Sequence, residues 1–120
     1  MAVTLKTKIS TPNLTESRAF YETIFGMVVA GEWDEPDDKG VILKFEDGGN
    51  EGFLEIYHTP VTHDFKGLSL QFRVDDLKGF IAKLPTHLEF DGPTPRPWGS
   101  TYLYLRDPAG IQVIVYEGGL

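Results

Sequence analysis

Laying Leu5-Lys6-Thr7-Lys8-Ile9 on Leu68-Ser69-Leu70-Gln71-Phe72 also lays Asn13-Leu14 on Asp76-Leu77, so a strand start and a helix entry recur at one offset. Such self-similarity is the imprint of a duplicated supersecondary unit, and it restricts the chain to folds built from two copies of one module. In the first copy, Val3, Leu5 and Ile9 alternate with Thr4, Lys6, Lys8 and Ser10, the period of a half-buried strand predicted over Val3 to Ser10. Asn13 or Thr15 can cap the helix that follows. Phe20, Tyr21, Ile24 and Phe25 form its apolar stripe, and Gly26 is placed to end it in the left-handed conformation. Further strands are predicted at Met27 to Trp33, Val41 to Glu46 and Phe53 to Tyr57, separated by the turn-rich segments Asp34 to Gly40 and Asp47 to Gly52. The Gly48-Gly49 pair in the second separator is hairpin chemistry rather than a phosphate loop.

The second copy repeats the plan. Leu68, Leu70, Phe72 and Val74 alternate with Ser69, Gln71 and Arg73, then Asp75 or Asp76 caps a short helix from Leu77 to Leu84. An irregular strand near Leu88 to Phe90 and a closing hairpin follow. The hairpin runs Thr101 to Arg106 and Ile111 to Tyr116 around Asp107-Pro108-Ala109-Gly110, where proline presets φ and glycine allows a positive one. The fold class is therefore α+β, two βαβββ modules in one domain spanning 1–120. Module 1 covers about 1–58, a linker 59–66, and module 2 about 67–118.

At 120 residues the chain can bury roughly two thirds of its unfolded surface as one domain. With no cysteine, a thiolate nucleophile, a thiolate metal site and a disulfide framework are excluded. There is no apolar run near the ~18 residues of a membrane span and no signal-like apolar stretch at the N-terminus, so a soluble, unprocessed, cytoplasmic protein is expected. The net charge of −7 repels polyphosphate and argues against nucleic acid as a partner.

Several segments, in order and spacing, resemble one family. These are Pro12-Asn13-Leu14 with Phe20-Tyr21, the Phe25-Gly26-Met27 helix exit, Val74-Asp75-Asp76-Leu77, and Pro97-Trp98-Gly99 with Asp107-Pro108-Ala109-Gly110. From about Thr4 to Tyr116 the chain resembles the vicinal oxygen chelate superfamily, which includes glyoxalase I, extradiol dioxygenases, fosfomycin-resistance enzymes and bleomycin-resistance proteins. The resemblance implies curled mixed sheets with a concave site. It also implies that each module supplies two metal ligands, one from its first strand and one from its last. Counted from the matching motifs, those four positions are Lys6, Glu55, Ser69 and Ile114.

Of the four, only Glu55 ligates well, since a charged ammonium offers no lone pair, isoleucine none, and a single serine hydroxyl is a poor donor to a divalent ion. No metal or other cofactor is expected, and a divalent ion is the alternative. Parity puts Lys8 and Ser10 beside Lys6, Phe53 and Tyr57 beside Glu55, Gln71 and Arg73 beside Ser69, and Gln112 and Tyr116 beside Ile114. Either an ion pair between Lys6 and Glu55 stands where metal and carboxylate would meet, or Lys6 points to solvent from a terminal strand.

Trp33 and Trp98 occupy no obvious core position. They either wall a groove, which with its acidic surroundings suits a flat, aromatic or partly cationic ligand, or cap the sheet or a dimer interface. His58, His63 and Asp64 set no ligand geometry in their loop, and His87 has no partner in sequence. The resemblance is nearest in character to the metal-free bleomycin-resistance branch. It implies a homodimer binding a small organic molecule, as in drug sequestration, with Lys6, Lys8, Trp33, Phe53, Glu55, Tyr57, Ser69, Gln71, Arg73, Trp98, Tyr102, Ile114 and Tyr116 as contact residues. The alternative is an enzyme of the same family, a lyase, isomerase or dioxygenase, with Glu55 as metal ligand or base.

Overall fold

A computed structural model describes residues 1–46 and 52–119. The glycine-rich turn expected at Asp47 to Gly52 lies outside the described residues except for Gly52. The chain folds as two compact units, Met1–His63 and the residues from Asp64 onward.

In the first unit the order is β1 (Lys6–Thr11), α1 (Leu14–Phe25), β2 (Val28–Glu35), β3 (Asp38–Lys44) and β4 (Phe53–His58). The sheet is ordered β1-β4-β3-β2, with β1 parallel to β4 and the other pairs antiparallel. Thr11, Ile9, Leu54, Ile56, Val41 and Leu43 alternate onto one buried face, and α1 covers it by packing on β4. Each fully buried aliphatic side chain there contributes about 1.5–3 kcal/mol. Helix α1 starts at Asn13, whose carbonyl accepts from Ser17 while its side chain makes no cap bond, and it ends at Gly26 with φ 65°. A left-handed residue without Cβ closes the last turn, as Gly26 N–H donates to the Tyr21 carbonyl.

The second unit repeats this: β5 (Ser69–Arg73), α2 (Leu77–Ala82), β6 (Asp91–Pro95), β7 (Thr101–Arg106) and β8 (Gln112–Glu117). Its sheet is ordered β5-β8-β7-β6, again with the first and last strands parallel. Asp76 caps α2, its carboxylate accepting from Gly79 N at 3.0 Å. Leu77, Leu103, Leu105, Val113 and Val115 are buried, and α2 packs on β8. Because Asn13 and Asp76 both stand at helix entry, and Lys6 and Ser69 both open the first strand, the offset read from sequence aligns the two folds.

Three expectations give way. Val3 and Leu5 precede β1 and are each 78% exposed, because β1 begins only where Lys6 meets Phe53 of β4. The separator Asp34 to Gly40 is mostly strand, since β2 and β3 stay paired to Glu35 and Asp38 and only Pro36-Asp37 turn. The irregular strand expected near Leu88 to Phe90 forms instead at Asp91–Pro95, after a loop.

Candidate functional site

Glu55 lies in β4, the central partner of β1 and β3, and is 8% exposed. Its alternation with Leu54 and Ile56 turns it to the face opposite α1. There Lys6 Nζ lies 2.8 Å from Glu55 Oε1, and Lys8 Nζ 3.8 Å from Oε2. Of the two readings of Lys6, the ion pair at the implied ligand positions is the one present, and a second ammonium shares the carboxylate. A nearly buried charge needs such partners, since an unpaired one would cost several kcal/mol (~3–5).

An aromatic wall adjoins the pair. Lys8 Nζ sits 4.4 Å from the centroid of the Tyr57 ring, a cation–π contact, and Tyr57 packs against Trp33 with centroids 6.4 Å apart and planes tilted by 35°. Trp33 reaches this face through a β-bulge. Val29 pairs with Leu43 of the core row, whereas Gly31 pairs with Ile42 and Trp33 with Gly40, so the irregularity at Ala30 reverses the parity of β2 beyond it. Gly40 makes room for the indole, because a Cβ there would come within 2.9 Å of Trp33 Cε2. Asp38 holds both rings. Trp33 Nε1 donates to Asp38 Oδ1 at 2.9 Å, and the Tyr57 hydroxyl is bonded to the same carboxylate. That bond first, then desolvation and the charges of Asp38 and Glu55, raises the Tyr57 pKa above its ordinary 10.0.

On the matching face of the second unit, Arg73, Tyr116, Tyr102 and Thr94 stand in one row across the sheet, and Gln71, Ile114, Tyr104 and Asp91 in the next. Tyr102 packs with Tyr116 at 5.4 Å and edge-on with Trp98 at 5.6 Å, while the Arg96 guanidinium lies 4.9 Å over the Trp98 ring. Trp98 is 55% exposed in a turn closed by Gly99 N–H to the Arg96 carbonyl. Arg73 Nε donates to the Gly118 carbonyl and Gln71 Nε2 to Ser69 Oγ. Nearby, an open cavity of about 460 Å³ is lined by Glu89, Phe90, Asp91, Tyr104, Arg106 and Gln112, among others.

Lys6, Lys8, Glu55, Tyr57 and Trp33 are thus joined in the first unit, with Phe53 beside Lys6 by strand pairing. Trp98, Tyr102 and Tyr116 are joined in the second, on the sheet that also carries Ser69, Gln71, Arg73 and Ile114. Asp38 and Gly40 were missed. Both fell in a stretch read as a turn, and the signal that marks them, a glycine opposite a tryptophan, emerges only once the hairpin register is known. Glu89 and Phe90 were missed because the irregular strand was placed over Leu88 to Phe90, and Asp91, which opens β6, lay just beyond it.

The strand pairs test the implied ligand positions. Lys8 pairs with Glu55 as Gln71 pairs with Ile114, so Glu55 and Ile114 occupy equivalent places, as Lys6 and Ser69 do. As a donor set these four fit a divalent ion poorly, because the one carboxylate is engaged by two ammoniums that offer no lone pair. Among the described residues, no group of three or more His, Cys, Asp or Glu is arranged to hold a metal, His58, His63 and Asp64 included.

The model of the Glyoxalase/Bleomycin resistance protein/Dioxygenase superfamily matches residues 4–115. The chain belongs to this superfamily. Solved structures share its fold. An integron cassette protein from the mobile metagenome of Halifax Harbour sewage outfall superposes with TM-score 0.78 at 20% identity, covering 98% of this chain and 100% of that one. A lactoylglutathione lyase from Agrobacterium tumefaciens gives 0.70 at 21% identity, covering 98% and 93%. A bleomycin-binding protein complexed with bleomycin gives 0.68 at 20% identity, covering 98% and 100%. No curated protein sequence matches the chain. Both a binder and an enzyme therefore occur within this superfamily member's structural neighbourhood. Among the described residues, no helix is long and apolar enough to cross a membrane.

Proposed function

We propose that this superfamily member binds a flat organic small molecule and sequesters it without a metal and without turnover. The observation that carries this reading is the Lys6–Glu55 contact of 2.8 Å, which gives the one good donor of the implied ligand set to an ammonium. The aromatic walls support it, since Trp33 with Tyr57, and Trp98 with Tyr102, supply the apolar area that a planar ligand stacks on. The bleomycin-binding protein of the same fold lends support by analogy alone. The reading includes a homodimer in the cytoplasm that engages neither nucleic acid nor membrane.

Calorimetric titration of the metal-stripped protein with Zn²⁺, Ni²⁺, Mn²⁺ and Fe²⁺, and separately with the neutral flat probe 2-naphthol, tests this. Saturable binding of 2-naphthol with no metal heat is the expected result. One metal per chain would overturn the metal-free reading and favour the enzyme, and silence towards every titrant would overturn small-molecule binding.

A further inference from the structure

The molecule as a whole is acidic, with net charge −7, yet the face around Trp33 is not. The acids that flank Trp33 in sequence are occupied elsewhere. Glu32 takes the Arg18 guanidinium at 2.7 Å, Asp34 takes Lys39 at 3.6 Å, and Asp38 is spent on Trp33 and Tyr57. Glu35 stands at the hairpin tip, and strand pairing puts the whole Trp33 row between it and the row of Lys8. Beside the aromatic wall Glu55 faces two ammoniums, and the charge of Asp38 is not cancelled by its neutral partners, so the face is balanced rather than acidic. Glu55 makes its close contact with Lys6, whereas Lys8, at 3.8 Å and with its side chain 52% exposed, is held loosely over the Tyr57 ring. Lys8 is thus the ammonium within reach of a ligand at the ring edge, and Lys44, paired with Phe53 in the neighbouring row, adds a further positive charge on this face.

We propose that this face takes a planar aromatic ligand bearing an anionic group, its ring against Trp33 and Tyr57 and its acid head on Lys8 and Lys6. The inference rests on the small-molecule-binding reading above and departs from the cationic ligand that acidic composition suggests. The charge that matters is the local one. An incoming carboxylate, sulfonate or phosphate meets an ammonium already poised at the ring edge, while a cation would compete with Lys8 for the Tyr57 ring.

The test uses three probes of like shape, 2-naphthoate, 2-naphthylmethanol and 2-naphthylmethylammonium, titrated into ¹⁵N-labelled full-length protein at low salt. Dissociation constants are read from the indole N–H resonance of Trp33, assigned with Trp33→Phe. The expected result is that the anion binds more tightly than the cation, by up to about fivefold, since one half-exposed charge contact is worth at most about that factor. Lys8→Gln should bring the anion-to-neutral affinity ratio down by a similar factor, and Lys8→Arg should restore it. If the cation binds as well as or better than the anion, the charge inference is overturned while aromatic binding stands. An anion preference that survives Lys8→Gln overturns the assignment to Lys8. If no probe moves the Trp33 resonance, binding on this face fails altogether and the inference with it.

Discussion

At the scale of single residues, the first unit is organised around two carboxylates with different duties, Glu55 neutralising lysines and Asp38 fixing rings. Lys6→Met removes the closer partner of a nearly buried Glu55 but leaves Lys8 nearby. Because Lys6 is itself half exposed, the expected loss is only about 1 kcal/mol, read from urea unfolding. Tyr57 supplies a pH signature. Its pKa is raised in the folded state, so the stability it contributes is complete below pH 10 and is lost as pH rises through the raised value. Tyr57→Phe is therefore expected to flatten the alkaline limb of the stability profile, measured by urea unfolding above pH 10. The Lys6–Glu55 pair was one of two readings of the sequence, since the implied ligand positions put both residues on one face while a strand at the terminus could equally turn Lys6 to solvent. Asp38 was not readable, because its role depends on a partner across a turn whose length periodicity cannot supply.

The elements show where local pattern stops being enough. Gly26 marks a helix end by chemistry confined to a few residues and was readable, whereas Asn13 and Asp76 were each one of two candidates, with Thr15 and Asp75, and only Asp76 caps through its side chain. The closing hairpin was readable too. Asp107 is 4% exposed, and its Oδ1 accepts from Ala109 N at 2.9 Å and Ile111 N at 2.8 Å. Asp107→Ala would strand both donors, one of them on buried Ile111, and is expected to cost about 2 kcal/mol in a thermal or urea melt. The bulge at Ala30 had no such marker. An alternation carried straight along β2 would put Trp33 on the core face with Val29, and only the extra residue turns it the other way. Deleting Ala30 removes the extra residue and leaves Gly31 opposite Ile42 and Trp33 opposite Gly40, so Trp33 is expected to keep its place beside Tyr57. An unchanged Trp33 indole N–H resonance in the deletion variant would report it. β6 was misplaced for a related reason, since its register also slips, between Asp91 and Thr94.

For the whole molecule, the duplication is the feature that sequence carried best, because an offset shared by strand and helix survives even where identities do not. The strand orders β1-β4-β3-β2 and β5-β8-β7-β6 are the same plan. Each sheet keeps two edge strands, β1 and β2 in one and β5 and β6 in the other, and edges of this kind are commonly covered by a second copy. Sedimentation equilibrium is expected to return about twice the 13.4 kDa of one chain for the proposed homodimer, and a mass of one chain at micromolar concentration would remove the dimer from the reading.

The single carboxylate of Asp38, bonded to both Trp33 and Tyr57, has a consequence for what the protein tolerates as cargo. Rings tethered in this way have surrendered their rotational freedom during folding, so that part of the entropic cost of association is not incurred when a guest arrives. Under the proposed binding role, a wall set in advance would not reshape itself around bulk; it would discriminate by thickness, admitting what lies flat and turning away what is puckered.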